Sequence, residues 1–336
     1  MFTLRFAGRV IVTAVMLLVA LIGSSVAVGQ VMKNPELAYM SYDGRTTALY
    51  ILDLGTGIAG ALRGTEGVSF FAWSPDGRWI AVIVGHELNN PLYLLSADGV
   101  NRRQIAQVEY TDKSPWSPDG KQLAFTRNDD GQYHLYVMGV DGSQPQSLLG
   151  AANTHANPLW SPDGRYIAFL SYDGTFIDLG AVAVDGTQRR VFSGYGDVDF
   201  AWSSQGHSLA FVKPDGIYLA DVSGGTETRI TEATHLDKAL SWSPDGKTLA
   251  FISIGDPQRQ SISIATSGGI DRQLHAGSMT IIAAGNLAWS ADGRQIAFTA
   301  YSPHDVNADI YVSTLDGQIR RVTFSRTVDW LPSWRP

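Results

Sequence analysis

One eleven-residue phrase recurs six times along the chain: WSPDGRWIAVI from Trp73, WSPDGKQLAFT from Trp116, WSPDGRYIAFL from Trp160, WSSQGHSLAFV from Trp202, WSPDGKTLAFI from Trp242 and WSADGRQIAFT from Trp289. A seventh tryptophan, Trp334, stands two residues from the end, and the successive intervals are 43, 44, 42, 40, 47 and 45 residues. A period near 43 with short apolar stretches between Gly/Asp turns is that of a four-stranded propeller blade, not of a helical repeat.

Within one period the order is a Trp-bearing strand A, an SPDG turn, an IAF-type strand B, a variable connector, an LYV-type strand C, a DG turn and a strand D rich in Arg and Leu. In the second unit these read FAW (71–73), WIAVIV (79–84), LYLL (92–95) and RRQIAQV (102–108). Pro75 presets φ at the second turn position, Asp76 can bond back to nearby amides, and Gly77 supplies the left-handed residue. Asp98-Gly99, Asp141-Gly142, Asp185-Gly186 and Asp316-Gly317 mark C–D hairpins. The B strands are nearly continuous apolar runs, which need both faces covered, as stacked blades provide.

The first unit lacks a strand A. ELAYMS (36–41) matches strand B, ALYILDL (48–54) strand C, and ALRG (61–64) begins strand D, while DWLPSWRP (329–336) is a lone strand A with nothing after it. The far end of the chain is expected to complete the first blade. The fold class is therefore all-β, a seven-bladed β-propeller over 36–336 closed by the C-terminal strand, which leaves no open sheet edge between the ends.

Residues 1–9 carry Arg5 and Arg9 and no acid, and VIVTAVMLLVALI follows from Val10 to Ile22. That is the layout of an export signal. Ser25 and Ala27 occupy small-x-small positions, so 1–27 is read as a signal peptide cleaved after Ala27, with 28–35 as a linker. An uncleaved anchor helix is the alternative, because Val10 to Val28 is a charge-free stretch close to the roughly 20 residues that span a bilayer. Either outcome makes the propeller extracytoplasmic, periplasmic or at the cell surface, with a membrane contact only through the N-terminal segment if it is uncleaved. The formal charge of −7, with 25 Lys and Arg against 32 Asp and Glu, argues against a nucleic-acid partner. Without cysteine there is no disulfide scaffold, catalytic thiol or Cys-ligated zinc.

The WSPDG…IAF…LYV pattern resembles the TolB-like propeller repeat, the type also found in the propeller domains of prolyl oligopeptidases and dipeptidyl peptidases. The resemblance covers 36–336. It implies an extracytoplasmic propeller without implying membership of the Tol system, for no separate α/β domain precedes the repeats, seven blades are counted where TolB has six, and no GxSxG of a hydrolase occurs.

Trp73, Trp116, Trp160, Trp202, Trp242, Trp289 and Trp334 share one phase of the repeat and are read as aromatic fillers between blades, not as a stacking surface for a ligand. The repeated Asp of SPDG is read as a turn residue, since Ser204 and Gln205 replace Pro and Asp in the fifth unit while Gly206 stays. A meander places the A–B and C–D turns at one end of the propeller and the long, dissimilar B–C and D–A connections at the other. Function is expected on those irregular loops. The candidate binding face comprises His86, Asp112, His155, Asp197, Asp199, His235, Asp237, His304 and Asp305, whereas His134, inside strand C of the third blade, is read as a packed strand residue. Two readings follow: a non-catalytic scaffold, monomeric and without cofactor, that grips a protein, peptide or envelope component at the loop face, or a metal-dependent lyase or lactonase with His and carboxylate ligands at the channel mouth. No compact catalytic motif and no ligand spacing such as HxxxH favours the second.

Overall fold

The computed structural model describes residues 34–109, 111–150, 153–187, 189–192, 199–224, 227–231, 238–253, 260–266, 269–275, 279–282, 286–303, 305–324 and 326–336. Their strands form seven antiparallel sheets, one per repeat. The second blade shows the plan: Val68–Trp73, Trp79–Val84, Asn90–Ser96 and Arg102–Val108 pair in that order. Strand B is buried because it is sandwiched twice, by strands A and C within its sheet and by the neighbouring blades on its two faces. Its central alanine, at Ala38, Ala81, Ala124, Ala168, Ala210, Ala250 or Ala297, is at most 1% exposed. The next residue fills the opposite face, as Phe125, Phe169, Phe211, Phe251 and Phe298 do. The apolar clusters accordingly draw on adjoining blades: Phe192 of the fourth blade packs with Trp202 and Phe211 of the fifth, and Leu37 and Tyr39 of the first with Ile310 and Val312 of the seventh.

The SPDG turn closes each A–B hairpin by a repeated set of bonds. In the second blade the Ser74 hydroxyl donates to Asp76 (2.7 Å), Asp76 accepts from Arg78 N (3.0 Å), Ser74 Oγ accepts from Trp79 N (2.9 Å), and Gly77 takes φ +65°. A β-carbon in that left-handed region carries a steric cost, so the glycine persists where the aspartate does not. Gly206 has φ +75° in the fifth blade, which keeps the Ser208 N to Ser203 Oγ bond (3.3 Å) without an acid.

Ring closure runs through Val328–Trp334, which pairs antiparallel with Glu36–Tyr42, placing Trp334 opposite Leu37 and Asp329 opposite Ser41. Ser41 Oγ donates to the fully buried Asp329 (2.6 Å), and Arg335 donates from its backbone N to Glu36 O (3.0 Å) and from Nη1 to the Glu36 carboxylate (2.5 Å).

Three local expectations are corrected. Strand A of the third blade shrinks to a single bridge, Trp116 to Leu123, and that of the seventh is divided into Thr280–Ile281 and Ala288–Trp289. Pro115 has no N–H to extend the bridge in the third blade. Strand D of the first blade is Ile58–Ala61 and not ALRG, because the chain already reverses between Asp53 and Gly57, where Gly57 N donates to Asp53 O (2.8 Å). The D–A connection into the fourth blade, expected as an irregular loop carrying His155, is a strand from Thr154 to Trp160, since strand B continues to Tyr172 and offers Thr154, His155 and Ala156 pairing partners. Residues 1–27, expected to be a signal peptide or anchor, and most of 28–35, expected to be a linker, lie outside the described residues.

Candidate functional site

The strand A segments surround the axis, and a cavity of about 540 Å³ there is lined from all seven blades. Counting three residues back from each repeat tryptophan gives Phe70, Lys113, Asn157, Asp199, Ala239, Asn286 and Leu331, and every one lines this cavity. They form one ring. Its composition is lopsided: Leu331 and Phe70 make an apolar arc across blades 1 and 2, Lys113, Asn157 and Asp199 a polar arc across blades 3 to 5, and Ala239 and Asn286 complete the circle.

The backbone is distorted at the same level. Asn157, Ala239 and Leu331 adopt φ of +51°, +58° and +55°, three of the five non-glycine residues with positive φ among those described. Each sits in a β-bulge, opposite the interval Ala38 to Met40 or within Ala156–Leu159 and Lys238–Ser241. A left-handed L-residue costs about 1–2 kcal/mol, and such strain concentrates where a side chain or peptide must be aimed for function.

Lys113 and Asp199 meet across the fourth blade. The ammonium donates to Asp199 Oδ1 (2.7 Å) and stands 5.1 Å from the Phe200 ring, with both side chains largely withdrawn from solvent (15% and 20% exposed). Burial works against the lysine charge, but Asp199, and Asp112 beside it, more than restore it, so the ammonium titrates above its ordinary range. Asp199 also accepts from Phe200 N (2.8 Å) and, through Oδ2, from Leu240 N of the sixth blade (2.9 Å). One carboxylate thus ties together the inner strands of blades 3, 5 and 6.

Of the nine residues expected at the binding face, Asp112 and Asp199 line the channel. His86 is exposed in the B–C loop of blade 2 and does not line the channel. Asp305 is held by Arg321 (2.7 Å), which also grips the buried Asp309 (2.7 Å). His155 lies in a strand, 1% exposed, with its ring edge-on to Phe169 at 5.3 Å. It is buried against that ring and does not line the channel. Asp197, His235, Asp237 and His304 lie outside the described residues. His134 pairs with Arg127 within its sheet. Among the described residues no three His, Cys, Asp or Glu side chains are grouped as metal ligands. Lys113, Asn157 and Asn286 are not of the His and Asp types that the sequence singles out, although their common offset from the tryptophans is in the sequence.

The tryptophans themselves stitch blades. Trp116, Trp202, Trp289 and Trp334 donate Nε1–H to Ala72 O (3.1 Å), Leu159 O (2.9 Å), Ser241 O (3.0 Å) and Ala288 O (2.9 Å), each acceptor immediately preceding the tryptophan of the previous blade. The buried Nε1 atoms of Trp73, Trp160 and Trp242 have no partner among the described residues.

Fold and channel together define a seven-bladed propeller with an asymmetric axial aperture. The chain belongs to the TolB beta propeller domain family (PD40), whose model matches residues 31–199 and again 128–336. Among solved structures it resembles TolB from Acinetobacter baumannii, with a TM-score of 0.61 at 18% identity over 90% of this chain and 67% of that one. It also resembles a prolyl endopeptidase (TM-score 0.63, 15% identity, 86% of this chain and 48% of that one) and Porphyromonas gingivalis dipeptidyl peptidase 4 (0.56, 14%, 86% and 53%). The chain spans about half the length of these two peptidases, and at such identities the likeness is one of fold. No curated protein matches the chain.

Proposed function

We propose that the protein is an exported, non-catalytic binding scaffold that holds a protein, peptide or envelope component at the loop end of the propeller, around the mouth of the axial channel. The observation that carries this reading is the ring three residues before the tryptophans. A purely structural position would repeat its residue in every blade, as the SPDG turn nearly does, whereas this one differs from blade to blade and retains strained backbone in three of them. Export rests on the charged and apolar layout of residues 1–27. The likeness to TolB is compatible with an extracytoplasmic setting.

Two measurements test the reading. The intact mass of the protein recovered from its native envelope is expected to begin at Val28, or at Met1 in a membrane fraction if the segment is an anchor; a cytoplasmic full-length species overturns export. Capture of one defined partner from an envelope extract is expected to weaken on substitution of Asp112, Asn286 or Asp305 by Ala and to survive Ala at Asp76, Asp163 and Asp245 on the turn face. The reverse pattern in folded variants moves the functional face to the other end.

A further inference from the structure

We propose that the channel ring receives a ligand end consisting of a carboxylate next to an apolar group, seated on Lys113 and Asn157 with its apolar portion against Phe70 and Leu331. The proposal rests on the binding-scaffold reading and specifies what the channel takes.

Lys113 offers the charge. Its ammonium has three protons, and among the described residues it makes one hydrogen bond, to Asp199. Asp199 does not depend on that bond alone, because Phe200 N and Leu240 N hold its two oxygens independently. A second carboxylate can therefore share the lysine without leaving Asp199 stranded, the condition that makes a partly buried ion pair exchangeable. The companion negative charge, Asp112, is exposed at the mouth, where water and salt screen it.

The neighbouring positions supply direction. Asn157, in the adjoining blade, has a side-chain amide with no partner among the described residues, and its left-handed backbone is part of the ring's distortion. Trp73 lines the same cavity, is 6% exposed, and carries a buried indole N–H without a partner among the described residues. The unused capacity of these three side chains is mostly in donors, the complement of a carboxylate or carbonyl oxygen. Beside them, on blades 2 and 1, Phe70 and Leu331, 3% and 8% exposed, offer an apolar wall and no charge. A cavity of about 540 Å³ falls within the usual range for a small ligand or a short chain end.

The test is calorimetric titration of the full-length protein with acetyl-Gly-Ala-Leu-Phe bearing a free carboxylate, with the same peptide as its carboxamide, and with octanoate. The acid is expected to bind at least tenfold more tightly than the amide. Lys113→Met should abolish that preference, Lys113→Arg should keep it, and Asn157→Leu should weaken the acid several-fold; thermal melts establish that each variant is folded. Should Lys113→Met fail to fold, the Arg and Leu variants carry the comparison. Octanoate competing as well as the peptide supports a free small acid as the source of the carboxylate, and competition by the peptide alone supports a chain terminus. Equal affinity for acid and amide, a preference that survives in folded Lys113→Met, a preference lost in Lys113→Arg, or no binding of any probe at millimolar concentration overturns the proposal. If partner capture still responds to the loop-face variants in that event, the carboxylate assignment alone is lost; if capture ignores them as well, the scaffold reading falls with it.

Discussion

At the scale of the residue, the seven tryptophans look interchangeable in sequence and are not so in structure. Trp116 and Trp73 are equally buried, at 5% and 6% exposure, but only Trp116 donates to a carbonyl of the previous blade among the described residues. Replacing either with Phe removes a similar volume, so the packing losses nearly cancel in a comparison. What remains is one hydrogen bond and the carbonyl of Ala72 left without its donor, worth about 1 kcal/mol. Trp116→Phe is therefore expected to be less stable than Trp73→Phe by about that amount in denaturant titration. Equal destabilisation of the two variants would remove the indole bond from the account. The contrast was not legible in the sequence, because whether an indole N–H meets a carbonyl depends on the tilt between neighbouring blades, which a shared motif does not encode.

At the scale of the element, the SPDG turn was almost wholly readable, since proline, a serine hydroxyl, an acid and a left-handed glycine each have one place in it. The structure adds an electrostatic consequence. The carboxyls of Asp76, Asp119, Asp245 and Asp292 are held below their ordinary value, first by the serine hydroxyl and then by the backbone N–H two residues on. In the pH window between the lowered native values and about 3.9 for a free Asp, the unfolded chain binds more protons than the native one. The turns' contribution is thus complete above the free value and is lost as pH falls through the native values. Asp309 has the opposite sign: burial raises its pKa despite Arg321, so near neutrality its charge costs stability, a cost that protonation removes. Four such turns outnumber the one acid whose pKa burial raises, and the melting temperature is expected to fall on acidification below about pH 4. Ser117→Ala should make that decline shallower, and an unchanged slope would deny the turns their role. Strand A was the least legible element. Its bulges follow from crowding of seven strands about one axis, a condition set by the whole ring, while its reduction to a bridge at Trp116 follows from Pro115.

At the scale of the whole molecule, the blade count and the composite first blade were legible because they need only the phase of the repeat, and the pairing of Val328–Trp334 with Glu36–Tyr42 carries them. The channel chemistry was legible in principle and hidden in practice: Lys113 and Asp199 are 86 residues apart, and only a common offset from Trp116 and Trp202 says that they face one another. Deleting residues 329–336 removes the closing strand, exposes the edge of Glu36–Tyr42 and unpairs the buried Ser41. The truncated chain is expected to lose its cooperative melt at the parent temperature and to aggregate; a parent-like melt would refute closure. The indole bonds described above also divide the circle unevenly. They join blade 2 to 3, 4 to 5, 6 to 7 and 7 to 1, and among the described residues none spans 1 to 2, 3 to 4 or 5 to 6. A ring that looks sevenfold is therefore, in its indole bonding, two doublets and a triplet, and other bonds cross the seams between them: Arg335 Nε donates to Gly77 O (3.0 Å) from blade 1 to 2, and Leu240 N donates to Asp199 Oδ2 (2.9 Å) from blade 6 to 5. The triplet, which is also closed by the pairing of Val328–Trp334 with Glu36–Tyr42, should be the last part of the ring to let deuterium in.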